Sequence, residues 1–183
     1  MKKNILKMIL SLTVITVWSL AGAGFSQAYT WKYNPATEHW YTLTRSESTW
    51  TAAEAEAVSL GGHLVTIRNN DEEAWLMQPE NFGDQDVYWI GFYQPPGSPE
   101  PAGGWSWISG EPVTYTHWDG PEPNNFLGNE HYGVMNFWDD VNRPHWNDER
   151  DAGYKGPHRG IIERTTAPPG YGTVPFLLLL LLD

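Results

Sequence analysis

Apolar positions along this chain recur at helical spacing in two stretches and alternate in several short ones. In "WTAAEAEAVSLGG" (50–62), Trp50, Ala53, Ala57 and Leu60 fall on one helical face, and Gly61-Gly62 suits a C-terminal stop. "NNDEEAWLMQP" (69–79) predicts a second helix, with Asn70 as cap, Glu73 three residues on completing a capping box, and Pro79 ending it. Strand character marks "WKYNPATEHWYTLTRS" (31–46), "HLVTI" (63–67), "VYWIGFY" (87–93), "EHYGVMNF" (130–137) and "GIIER" (160–164). "WSWIS" (105–109) alternates, with Trp105 and Trp107 on one face and Ser106 and Ile108 on the other. The Pro/Gly-rich segment 94–104 and the stretches 110–128 and 138–160 read as loops. Long loops without regular structure are uncommon and often functional.

The ends change the picture. Three lysines, an apolar run from Met8 to Leu20 and a small-residue stretch ending Ser26-Gln27-Ala28 have the layout of a secretory signal peptide, residues 1–28, cleaved after Ala28. The run is too short for a bilayer span. One domain is expected over 29–165. Residues 166–183 then form a Pro/Gly linker, "TTAPPGYGTVP", and a short apolar tail, "FLLLLLLD". The tail is similar to C-terminal sorting signals of bacterial exported proteins, but lacks their acidic motif residue and basic end; a truncated tail is the competing reading. The protein is expected to be secreted or displayed at the cell surface.

Without the leader's Lys2, Lys3 and Lys7, eight Lys and Arg face 22 Asp and Glu, a formal charge of −14. That balance excludes nucleic acid as a partner and favours cations. There is no cysteine, so packing alone must hold the core. Of the 11 tryptophans, Trp89, Trp105, Trp107 and Trp118 are expected in the core, and Trp146 as loop packing.

The loops concentrate oxygen ligands. Glu122, Asn124, Asn125 and Glu130 lie in one, Asn147 and Asp148 in another. Carboxylates and amides without thiols suit Ca²⁺, which takes six to eight oxygens. His117, His131 and His145 lie nearby and make Zn²⁺ a minor alternative. A solvated acidic loop is the plain alternative. A cis bond at Pro123 would aim Glu122 and Asn124 the same way. Mixed acids and amides also match the donors and acceptors of a hydroxyl-rich neutral ligand.

From Tyr29 to about residue 165 the chain resembles the C-type lectin-like domain family. The motifs run in order: "WTAAEAEAVSLGGHLVTI", "EEAWL", "YWIGF", "GGWSWISGEPVTYTHW", "EPN", "NEHYGVM", "WND" and "GIIE". The resemblance implies an α+β fold of two helices, small antiparallel sheets and a long Ca²⁺-binding loop region. It implies that Glu122, Asn124, Glu130, Asn147 and Asp148 bind Ca²⁺. Vicinal hydroxyls of mannose-, glucose- or fucose-type sugars would then join the metal while bonding Glu122, Asn124, Glu130 and Asn147. The partners implied are mannose-type glycans on glycoproteins or cell-surface polysaccharides, with oligomers or surface display offsetting a weak single site.

The family's disulfides are absent. Ala57 and Ile162 stand about where one pair would be, and fit an apolar contact; Tyr132 and Asp151 stand about where the other would be. Bound Ca²⁺ is one way to hold that second loop. A second Ca²⁺, with ligands near Glu100 and Asn125 and Glu130 shared, is not expected, because the loop there is poor in acids. The competing readings are a protein-interaction or structural surface module on the same fold, and a glycosidase using Glu122 and Glu130. Metal-bound carboxylates are poor general acids, so no enzymatic activity is expected.

Overall fold

The computed structural model describes residues 28–83, 86–136, 145–154 and 156–171. The leader up to residue 27 and the apolar tail from 172 lie outside them. An N-terminal hairpin, β1 (Lys32–Asn34) and β2 (His39–Leu43), opens the chain. Helix α1 (Trp50–Ser59) follows, then β3 (His63–Leu64) and helix α2 (Asn70–Leu76). Strands β4 (Tyr88–Tyr93) and β5 (Ser106–Trp107) precede a short 3-10 turn at Phe126–Gly128. Strands β6 (Tyr132–Met135), β7 (Trp146–Glu149) and β8 (Arg159–Arg164) complete the fold.

The strands join in the order β1-β2-β8-β4-β6-β7, with β3 on β8 and β5 on β4. Most pairs are antiparallel, as expected; β4 and β8 run parallel, so the sheet is mixed. β8 therefore ties the two chain ends to the half that carries the long loops.

Helix α1 buries Trp50, Ala53 and Ala57, the face its spacing predicts, and Thr49 caps it by accepting from Ala52 N–H. Small residues let α1 lie close to β8. Helix α2 differs from expectation at its start. Asn69, not Asn70, is the cap, accepting from Glu72 N–H at 2.9 Å, and Glu73 turns inward to 1 % exposure. Gly91 in β4 is required by close approach: a Cβ there would stand 2.4 Å from Leu64 O.

The main core gathers Tyr41, Ile67, Leu76, Ile90, Phe92, Trp107, Met135, Trp146 and Ile161. Trp105 and Trp107 both pack on Phe92, at 5.4 and 4.4 Å, while Ile108 packs with the Trp50–Trp89 cluster on the opposite face. The alternation of 105–108 is thus realised, although only two residues are strand.

The missing disulfides are replaced by side-chain packing and by hydrogen bonds. Ala57 and Ile162 are fully buried in one cluster with Trp31, the expected apolar contact. Tyr132 stacks on Trp50 with centroids 4.7 Å apart. The Asp151 carboxylate accepts from Thr51 N–H at 2.8 Å and from the Thr51 hydroxyl, and its carbonyl accepts from Trp50 N–H. These bonds tie the loop to the first turn of α1, and an anion suits that helix end.

Candidate functional site

The largest departure from expectation positions the site. "WNDE" lacks alternation and reads as loop, yet it forms β7, with all four residues buried. Trp146 fills the core and donates its indole N–H to Glu73 at 2.6 Å. The other Glu73 oxygen accepts from Tyr115 O–H at 2.7 Å and meets His117 Nδ1 at 2.6 Å. Helix α2, the 115–117 segment and β7 are thus fixed to one buried carboxylate. A parallel bridge between Trp118 and Trp146, with Asp119 N–H donating to Trp146 O, brings the first loop alongside β7.

Asp148 then gathers the loop. Fully buried, it accepts from Asn124 N–H at 3.0 Å and from Asn125 N–H at 2.8 Å, one per carboxylate oxygen. Glu130 accepts from Phe126 N–H at 2.7 Å, while its own N–H donates to Asn125 Oδ1 at 3.0 Å. The Glu122–Pro123 peptide is cis. Asn147 is 5 % exposed and donates its amide to Asp148 O at 2.8 Å. Asn124 is exposed. Glu122, Asn124, Glu130, Asn147 and Asp148 therefore belong to one neighbourhood spanning two loops and a strand.

Its electrostatics are those of crowded anions. Glu122 is pushed up to about 7, first by burial, then by the Asp148 carboxylate beside it and by Glu130 and Asp119. Glu130 is also pushed up to about 7, by burial and by Asp148 and Glu149, against the opposing pull of Phe126 N–H and Arg150. Glu122 Oε2 is buried with no hydrogen-bond partner. An orphaned carboxylate oxygen and mutual repulsion are what a bound divalent cation would relieve. All the donors are hard oxygens, which suits Ca²⁺. Among the described residues, no three His, Cys, Asp or Glu side chains form a metal cage by themselves. The amide oxygens of Asn124 and Asn147 would have to complete the set.

The nearby imidazoles are committed elsewhere. His117 bonds Glu73, His145 Nδ1 lies 2.9 Å from Asp119, and His131 lies 3.2 Å from Gln94 Oε1 and 3.3 Å from Glu100. Asn125 Oδ1 accepts from Glu130 N–H at 3.0 Å. Sequence reasoning missed Glu73 as an anchor, and it missed an exposed apolar rim beside the acids: Phe126, Leu127 and Tyr154. The Phe126 and Tyr154 rings stand 6.2 Å apart, and Leu127 has φ of 62°, a left-handed conformation uncommon outside glycine.

The fold is that of a C-type lectin-like domain, and comparison with known proteins agrees. The family model for the Lectin C-type domain matches residues 27–156, so the chain belongs to the C-type lectin domain family. Lithostathine from Bos taurus is 34% identical over 85 residues, covering 44% of this chain and 49% of the relative. The chain spans about half the length of the first curated relatives it matches. Among solved structures, the C-type lectin CEL-I from Cucumaria echinata shares the fold, with TM-score 0.59 at 24% identity over 75% of this chain and 96% of that one. A calcium-independent type II antifreeze protein has TM-score 0.57 at 26% identity, covering 76% and 97%.

Proposed function

We propose that this chain is a Ca²⁺-dependent lectin for mannose-, glucose- or fucose-type sugars, exported by residues 1–28, with the binding domain at 29–165. Glu122, Asn124, Glu130, Asn147 and Asp148 would hold the cation. The cation would supply two coordination positions to vicinal sugar hydroxyls. The protein's own groups orient those hydroxyls: the Glu122 and Glu130 carboxylates accept hydrogen bonds, and the Asn124 and Asn147 amides donate them. The observation that carries this reading is the Asp148 clamp, which draws the 122–130 loop to β7 beside an orphaned Glu122 oxygen. No catalytic role is assigned to Glu122 and Glu130. Their raised values follow first from burial and then from the neighbouring carboxylates, and a bound cation would lower them.

A second reading has specific support, because the antifreeze neighbour is described as calcium-independent. On that reading the chain is a protein-interaction or structural module without sugar binding. Exchanging acid and amide separates the two. The double variant Glu122→Gln, Asn124→Asp puts a donor where 122 had only acceptors and only acceptors where 124 had a donor, so it should weaken mannose binding at least tenfold and admit galactose. Unchanged mannose affinity in that variant would remove this loop from the site.

A further inference from the structure

A second cavity, of about 370 Å³, opens between the N-terminal hairpin and the turn after α2, with Tyr29, Lys32, Leu43, Arg45, Phe82 and Arg159 among the residues of its wall. Its charge is opposite to that of the molecule. Three of the eight Lys and Arg that follow residue 28 line it, and among the described residues no Asp or Glu does. Each cationic head is held at the wall by a neutral group. Lys32 Nζ donates to Glu80 O, next to Asn81 of the wall. The Arg45 guanidinium sits over the Tyr29 ring, 4.6 Å from its centroid. Arg159 Nε donates to Thr44 O at 2.8 Å, which leaves its terminal N–H groups without a described partner.

None of the three forms an ion pair with a described residue; the described ion pairs of Lys and Arg all belong to Arg68. The Glu56 carboxylate lies beside Arg45, where one oxygen accepts from Tyr29 O–H and from Arg45 N–H, each at 2.8 Å. Three cations lining one concave wall with Phe82 and Leu43, none of them in a described ion pair and only Arg45 with a carboxylate, Glu56, nearby, match an anionic group on a small organic body.

We propose that this cavity binds a small oxyanion, a carboxylate or a phosphate ester, independently of the Ca²⁺-and-sugar site. The size follows from the charge of the whole chain. At net −14 without residues 1–28 the surroundings repel a polyanion, while screening over about 8 Å lets one local oxyanion feel chiefly the three cations.

The test is calorimetric titration of the whole protein in EDTA, which silences the cation site, with inorganic phosphate and with glucuronate as separate probes. Saturable binding of either is expected. Arg45→Gln and Arg159→Gln should each weaken it about tenfold, and mannose binding in Ca²⁺ should stay unchanged. Phosphate alone would identify a phosphate ester as the ligand class; glucuronate alone would identify a sugar acid. Arg45 is exposed and its side chain donates no hydrogen bond to a described residue, so its variant reads binding even if Arg159→Gln impairs folding. Saturable binding of neither probe, or unchanged binding in Arg45→Gln, would overturn the proposal.

Discussion

Asp148 is a scaffold in the structure and, under the proposed function, a cation ligand as well. Its two oxygens hold two consecutive backbone N–H groups, and its charge makes both bonds strong. Asp148→Asn keeps the volume but turns one acceptor into a donor facing an N–H. The variant should lose about 2 kcal/mol of stability in a denaturant melt, together with cation binding by calorimetry. Leu127 is the opposite kind of residue: 75 % exposed and held at φ of 62°. A left-handed Leu costs about 1–2 kcal/mol, and glycine loses part of that gain in chain entropy. Leu127→Gly should therefore raise stability by about 0.5–1 kcal/mol while leaving the Asp148 clamp intact, as a paired chemical melt and Ca²⁺ titration would show. The residues that the fold gathers at the candidate site were legible one by one, because "EPN", the later Glu and "WND" are short and ordered. The left-handed turn was not, since Phe126 and Leu127 carry no glycine or asparagine signal of their own.

Among the elements, α2 and β7 diverge most from their sequence patterns. Asn70 with Glu73 has the spacing of a capping box, and Asn69 with Glu72 has it as well. Both glutamates are buried, and their partners differ: Glu73 takes Trp146, Tyr115 and His117, while Glu72 takes Arg68 and Tyr41. β7 escapes detection because its Asn, Asp and Glu are buried, so polarity no longer marks the solvent face. The helix α1 and strands β4 and β8 were legible because their apolar faces match their periods. Glu73→Leu should leave three polar partners of the α2–β7 contact unsatisfied and cost about 3 kcal/mol. It should also weaken Ca²⁺ binding, because Trp146 directly precedes Asn147 and Asp148; a thermal melt and a cation titration on the same sample check both.

At the scale of the molecule, a cysteine-free fold rests on buried charge networks as well as on apolar packing. Glu163 of β8 is the clearest. Burial alone would raise its carboxyl, but His39, the Arg68 guanidinium and Thr66 N–H hold it below the ordinary value. Arg68 also binds Glu72 and Glu111, and Tyr41 O–H donates to Glu72. A carboxyl lowered by folding contributes stability in full above its unfolded value of about 4.3. That stability is lost as pH falls through the folded value. The melting temperature should therefore drop below about pH 4, and Glu163→Gln should flatten that acid limb while lowering stability at neutral pH by about 3 kcal/mol.

The overall class was legible because motifs in series fix an order of elements, whereas the parallel β4–β8 pairing depends on distant partners that no local pattern marks. The central claim is that sugar is bound through a cation held by Glu122, Asn124, Glu130, Asn147 and Asp148. The direct measurement is calorimetric titration of methyl mannoside into the protein, first in millimolar Ca²⁺ and then in EDTA. The account predicts saturable binding in Ca²⁺ that vanishes in EDTA and returns when Ca²⁺ is restored. Equal binding in both conditions, or none in either, would contradict it.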